Sequence, residues 1–75
     1  MILPTKHINL SNSLLGVGAA ILNCMNRDKT VTSLWNEART SSEVRTFERF
    51  TLGLDLLFIL GMIDFRDGLL RKIER

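Results

Sequence analysis

The sequence predicts a small, mainly α-helical domain that ends in a short β-hairpin. Three observations predict this fold class. Apolar residues recur at helical spacing in three segments, short polar residues suited to helix N-caps precede those segments, and an Asp67-Gly68 pair near the end is flanked by apolar residues. With 75 residues the chain has room for one domain. A domain this short buries only about 60% of the surface that its unfolded chain exposes.

Residues 1–12 are predicted as an extended N-terminal arm or short strand. Ile2, Leu3 and Pro4 open the chain, and Ile8 and Leu10 then alternate with polar residues. Two roles stay open for this arm: it docks on a partner, or it covers the core of its own domain.

The first helix is predicted to begin at residues 11–13, because serine and asparagine side chains accept hydrogen bonds from the free amides of a first turn. Residues of its main apolar face are Leu14, Gly18, Ile21, Leu22 and Met25. The remaining surface is also apolar, through Leu15, Val17 and Ala19. Glycine at 16 and 18 lowers helix propensity by about 1 kcal/mol each, which indicates close packing of another element.

Two further helices follow. Thr30 and Thr32 are candidate caps of a short helix in which Trp35 is interpreted as a core anchor. A third helix is predicted from about Thr46 to Leu60. Its main buried stripe is Phe47, Phe50, Leu54, Leu57 and Phe58. A second apolar set lies on another side of this helix and comprises Leu52, Leu56 and Ile59.

Gly61 fits a helix stop, and the remainder of the sequence predicts the hairpin. If Asp67 and Gly68 form its two-residue turn, Arg66 pairs with Leu69 and the pairing continues outward from there. The other predicted pairs are Phe65 with Leu70, Asp64 with Arg71 and Ile63 with Lys72. This register matches apolar with apolar on one face and opposite charges on the other.

Three helices followed by a hairpin predict a winged helix-turn-helix domain over residues 13–75, which raises the question of DNA binding. The candidate nucleic-acid contacts are Arg45, Arg49, Arg66, Arg71 and Lys72. The charge pattern gives them little support. Net charge is only +2, no run of five basic residues occurs, and Glu43 and Glu48 neighbour the arginines of the third helix.

Protein binding is favoured instead, because 45% of the residues are hydrophobic and so small a domain has little interior in which to hide them. The candidate partner-binding residues are Ile2, Leu3, Pro4, Leu52, Leu56 and Ile59.

Other functions find little support in the residues. Cys24 and His7 are single, so neither a disulfide nor a zinc site is expected, and the chain is predicted to be cytoplasmic. No apolar run has the roughly 18 residues that a membrane span needs, and secretion signals match poorly. Gly16-x-Gly18 lacks the strand and acidic partner of a nucleotide site. The chain is therefore predicted to be no enzyme and to bind no cofactor.

Several stretches of the sequence stand out together by their order and spacing. They are Met1-Ile-Leu-Pro-Thr-Lys-His-Ile8, Ser13-Leu-Leu-Gly-Val-Gly18, Thr30-Val-Thr-Ser-Leu-Trp35, Phe47-Glu-Arg-Phe50, Leu54-Asp-Leu-Leu57 and Leu60-Gly-Met-Ile63. Together they resemble the small middle-component family of bacterial ABC-three-component systems. The resemblance covers nearly the whole chain, although each motif alone is structural and low in specificity.

This resemblance implies a cytoplasmic anti-phage defence complex, similar in logic to Lamassu-type systems. In it, a small winged-helix adaptor accompanies an SMC-like ABC ATPase and a larger effector, often a nuclease. The implied state is a hetero-oligomer with no membrane contact and at most weak or indirect DNA contact, and Mg-ATP belongs to the partner. The alternative hypothesis is a small winged-helix transcriptional regulator that binds DNA.

Overall fold

A computed structural model describes residues 5–73 of the chain, with side chains described for residues 14–73. Three helices are followed by a two-stranded antiparallel hairpin. The elements are α1 (Thr5–Asn23), α2 (Val31–Ala38), α3 (Phe47–Ile59), β1 (Ile63–Arg66) and β2 (Leu69–Lys72). The prediction of a mainly helical fold with a small β-hairpin is thereby confirmed.

Helix α1 is already present at Thr5, the first described residue, well before the predicted start at residues 11–13. The prediction of an extended arm or strand is therefore wrong for residues 5–12, whereas residues 1–4 lie outside the described residues. The physical reason is that serine and asparagine are only mildly unfavourable inside a helix, so a cluster of cap-forming residues does not by itself start one.

The other boundaries lie close to their predicted positions because the local capping chemistry is strong. Thr30 caps α2 by accepting from the Ser33 amide, and Thr46 caps α3 by accepting from the Arg49 amide, each at 3.1 Å. Asp67 and Gly68 both have positive φ, as the two-residue turn requires. All four predicted cross-strand pairs of the hairpin are confirmed.

Helices α1 and α3 pack closely against each other at the core, to which they contribute Val17, Ile21, Phe50, Leu54 and Leu57. Gly53 of α3 allows this approach, because a Cβ atom there would lie 2.6 Å from Val17 Cγ1 and 2.9 Å from Ile21 Cδ1. The apolar residues of the core are Val17, Ile21, Met25, Leu34, Ala38, Val44, Phe50, Leu54, Leu57, Ile63 and Leu70.

The predicted buried faces of α1 and α3 need three corrections. Val17, which is predicted on the outer surface of its helix, is fully buried, since it meets α3 at Gly53. Phe47 and Phe58, which are predicted in the buried stripe, are 52% and 40% exposed. Contact with α1 turns the Gly53 side of α3 inward, which leaves these two rings at the edge of the core.

Lys29, between α1 and α2, joins the first half of the chain to the hairpin. Its amide donates to the Leu70 carbonyl at 3.1 Å and its carbonyl accepts from the Leu70 amide at 2.7 Å. Its side chain is 4% exposed and donates to Glu37 Oε2 at 2.6 Å. The buried ammonium group therefore has a charged partner at the protein surface.

Candidate functional site

A groove with an aliphatic lining runs between α1 and the C-terminal end of α3. It has a volume of about 170 Å³. Its lining residues have no charged or hydrogen-bonding side chains and are Leu15, Gly18, Ala19, Leu22, Leu56, Leu57, Leu60 and Met62. Leu15, Leu60 and Met62 are 57%, 52% and 40% exposed, so a large part of this lining faces solvent. We call this surface the aliphatic groove.

The aliphatic groove continues toward the end of β2. A second hollow of about 350 Å³ shares Leu22, Leu60 and Met62 with it and adds Gly61, Lys72 and Ile73. Lys72 is the only charged residue among those that the structure places along this continuous depression. The groove is thus aliphatic along the helices and positively charged at the hairpin end.

The predicted partner-binding residues of α3 lie at the groove or beside it. Leu56 is half-buried and lines the groove, whereas Leu52 and Ile59 are 47% and 80% exposed. Positions 52, 56 and 59 follow helical spacing, which places Leu52 and Ile59 next to the groove's α3 wall. None of the three is sealed within the described part of the molecule. Ile2, Leu3 and Pro4, the other predicted partner contacts, lie outside the described residues.

A second apolar surface, here called the aromatic patch, is formed by Trp35 of α2 and Phe47 of α3 with Arg39. The rings of Trp35 and Phe47 meet edge to face with centroids 5.2 Å apart, and Trp35 also packs on the buried Phe50 at 5.3 Å. The Arg39 guanidinium carbon lies 5.8 Å from the Trp35 ring, within range of a cation–π contact. Trp35 is therefore a half-buried anchor with one side in solvent.

The aliphatic groove and the aromatic patch lie on opposite sides of α3. Phe47 of the patch and Leu56 of the groove are nine residues apart, and at 3.6 residues per turn they point about 180° from each other. The core residues of α3 lie between these two directions. A partner bound at one surface therefore leaves the other accessible.

Two of the five candidate nucleic-acid contacts have structural partners within the chain. Arg49 donates from Nε and Nη2 to the Glu43 carbonyl oxygen at 3.1 and 2.8 Å. Arg71 donates from Nε and Nη2 to the two carboxylate oxygens of Asp64 at 3.0 and 3.2 Å. These hydrogen bonds hold the α2–α3 loop and the hairpin, so both guanidinium groups already have acceptors.

The remaining candidates, Arg45, Arg66 and Lys72, are exposed but do not share one element. Arg45 lies in the loop before α3, Arg66 at the hairpin turn and Lys72 at the end of the aliphatic groove. Arg45 also has φ of 59°, a left-handed conformation that is unusual for a residue with a side chain.

Sequence reasoning missed Leu15, Leu60 and Met62 as residues of the groove. The sequence predicts that the side of α1 with Leu15 is apolar, but nothing in the sequence pairs it with the end of α3. Leu60 and Met62 flank Gly61, where helical periodicity ends, so their common surface has no periodic pattern.

Among the helices that the structure describes, none combines the length and apolar character needed to cross a membrane. A family model described as "ABC-three component (ABC-3C) system Middle Component 6" matches residues 3–73. No curated protein and no solved structure was found to match the chain.

Proposed function

Because the chain belongs to the family of ABC-three component system middle component 6, we propose that it is a non-catalytic adaptor that bridges the other components of its system. These are an SMC-like ABC ATPase and a larger effector, in a cytoplasmic anti-phage defence complex of the Lamassu kind. The order of the helices and strands along the chain further supports a winged helix-turn-helix fold. Three helices precede the hairpin, and the Lys29–Leu70 bridge adds a third short segment to the sheet.

One observation carries the adaptor proposal: two separate apolar surfaces lie on opposite sides of α3. A single exposed patch would suit one partner, whereas a bridging subunit needs two surfaces that are occupied at the same time. The groove is aliphatic and the patch is aromatic with a cationic edge, so the two select different partner surfaces. Removal of such side chains from water is favourable by about 25 cal/mol per Å² of apolar area, and this gain opposes the entropic cost of association.

The adaptor proposal is tested by co-expression with the other two components of the system. Leu60→Glu charges the groove and Phe47→Glu charges the patch, at positions that are both 52% exposed. We expect each variant to lose a different component on purification while it keeps the other. Asn36→Glu, at an exposed polar site of α2, is the control and keeps both. Loss of neither component from either charged variant would contradict the proposal.

The alternative function, a DNA-binding regulator, depends on Arg45, Arg66 and Lys72, since Arg49 and Arg71 hold intramolecular acceptors. Backbone binding by such residues weakens steeply with salt, and loss of one phosphate contact changes the slope by about one. A salt series on the isolated chain with random and genomic DNA separates the two functions. The adaptor proposal predicts no discrete DNA site, whereas a regulator binds one without any protein partner.

A further inference from the structure

We propose that the aliphatic groove binds an amphipathic helix of a partner subunit and that an acidic residue of that helix meets Lys72. This inference rests on the adaptor function proposed above. It goes further because it names the kind of segment that one of the two surfaces accepts.

The chemistry of the lining selects a helix over an extended peptide. None of the side chains along the aliphatic part of the groove donates or accepts a conventional hydrogen bond, and the backbone groups of α1 and α3 are largely bonded within their helices. An extended segment buried there would leave its own amides and carbonyls unpaired, which costs several kcal/mol in total. A helix satisfies these groups internally and presents only side chains to the groove.

The length of the groove agrees with this occupant. Leu15 and Leu22 line it from α1 and are seven residues apart, a rise of about 10 Å. A docked helix contacts such a groove through apolar side chains at i, i+3 or i+4, and i+7, which span the same distance. The partner segment is therefore expected to have an aliphatic stripe of about two turns.

The positive charge at the hairpin end determines which end of the docked helix lies there. Lys72 lies beside Leu22, Leu60 and Met62, where the aliphatic stripe of a docked helix ends. Among the ion pairs of the described residues, Lys29–Glu37 and Asp64–Arg71, none involves Lys72. An aspartate or glutamate at the end of the partner's stripe would pair with this ammonium group and fix the register of docking.

The test uses the complex of this chain with the other components of its system. A photo-crosslinking amino acid is placed at Leu60 in the groove or at Phe65 on the hairpin, and the linked peptides are identified by mass spectrometry. In parallel, dissociation constants are measured for Leu15→Glu and Phe65→Glu, whose original side chains are 57% and 56% exposed. Lys72→Met removes the charge at the groove end and keeps the apolar stem. Far-UV circular dichroism and thermal unfolding confirm that each variant is folded.

We expect crosslinks from position 60 to reach one partner segment that has helical apolar spacing and an acidic residue at one end. Leu15→Glu should weaken binding by about tenfold or more, and Phe65→Glu by less than about twofold. Lys72→Met should reduce the salt dependence of binding. Crosslinks to a second copy of this chain, to its own termini or to a segment with strand alternation would overturn the helix proposal. If binding occurs and Leu15→Glu leaves it unchanged, the helix-in-groove proposal is wrong, and the adaptor function is then decided by the separate purifications of Leu60→Glu and Phe47→Glu. If no component binds the unmodified chain, the adaptor function itself is wrong.

Discussion

Gly53 of α3 lies directly against Val17 of α1, so closely that a Cβ atom at position 53 would come within 2.6 Å of the valine Cγ1 atom. This contact sets the distance between α1 and α3 at the core. It also decides which side of each helix faces inward, and therefore which apolar side chains remain at the surface.

Gly53→Ala should destabilise the domain although alanine is the better helix former. The propensity gain is about 1 kcal/mol, whereas overpacking against the β-branched, fully buried Val17 costs about 1–3 kcal/mol. Urea unfolding followed by circular dichroism should show a net loss of up to about 2 kcal/mol in the free energy of unfolding.

Gly16→Ala is the matched control for that substitution, because it places the same methyl group in α1. A Cβ atom at position 16 would lie 2.7 Å from Glu43 Oε1, which is the far end of an exposed and flexible side chain. We expect this variant to be as stable as the original chain or up to about 1 kcal/mol more stable. If both alanine variants lose stability equally, close packing at Gly53 is not what the glycine provides.

The ion pair between Asp64 and Arg71 should make the hairpin sensitive to acid. The hydrogen bond from Arg71 holds the pKa of Asp64 below its ordinary value, against a smaller opposing effect of desolvation. A carboxyl group with a lowered folded-state pKa stabilises the fold above its unfolded pKa of about 3.9 and loses that contribution as the pH falls through the folded value. NMR titration of the Asp64 carboxyl should therefore give a midpoint below that of an unfolded chain.

Arg71→Gln is the comparison for the titration, since it removes the charge and keeps a polar side chain. The pKa of Asp64 should rise toward its ordinary value in this variant. An Asp64 midpoint that does not move would show that the pair seen between the strands does not form in solution.

Glu37→Ala should destabilise the fold, because it removes the acceptor of the buried Lys29 ammonium group. Lys29 Nζ donates to Glu37 Oε2 at 2.6 Å, and the lysine side chain is 4% exposed. Removing the acceptor leaves a charged donor without its protein partner, and we expect a loss of about 1–3 kcal/mol in the free energy of unfolding. Lys29→Met in the same background removes the ammonium group and should recover part of this loss. If the loss in the double variant equals the sum of the losses for Glu37→Ala and Lys29→Met alone, the two residues are not energetically coupled.

Arg49→Ala should lower the stability of the fold, whether or not Arg49 takes part in binding. Its guanidinium holds the Glu43 carbonyl in the loop that leads into α3, with donor distances of 3.1 and 2.8 Å. We expect a loss of about 1–2 kcal/mol. Arg49→Lys should restore only part of it, since an ammonium group does not reproduce the planar pair of donors. If the alanine variant is fully stable, the bonds of Arg49 to Glu43 do not stabilise the fold, and Arg49 is again a candidate for nucleic-acid contact.

Much of the fold follows from local chemistry that the sequence displays. Thr30 and Thr46 cap their helices because a threonine side chain can satisfy an amide of the first turn, wherever the helix later packs. The hairpin register follows from Asp67-Gly68, because a two-residue turn with positive φ at both positions fixes every pair behind it. Such features involve neighbours in sequence, so they can be predicted without knowledge of tertiary contacts.

The burial of individual helix faces could not be predicted in the same way. Helix α3 has apolar residues around most of its circumference, so periodicity alone does not distinguish Phe47 and Phe58 from Phe50 and Leu57. The deciding contact is that of Gly53 with Val17 and Ile21 of α1, which are far from Gly53 in the sequence. The groove was missed for the same reason, because it exists only where α1 and the end of α3 come together.

The most direct test of the adaptor function is the native mass of the complex purified with the other components of the system. We expect one species that contains this chain together with both proposed partners, an ABC ATPase and an effector, and loss of one of them when either the groove or the patch is charged. A monomeric 8.5-kDa chain that leaves both components free, at concentrations where they are folded and active, would contradict the account.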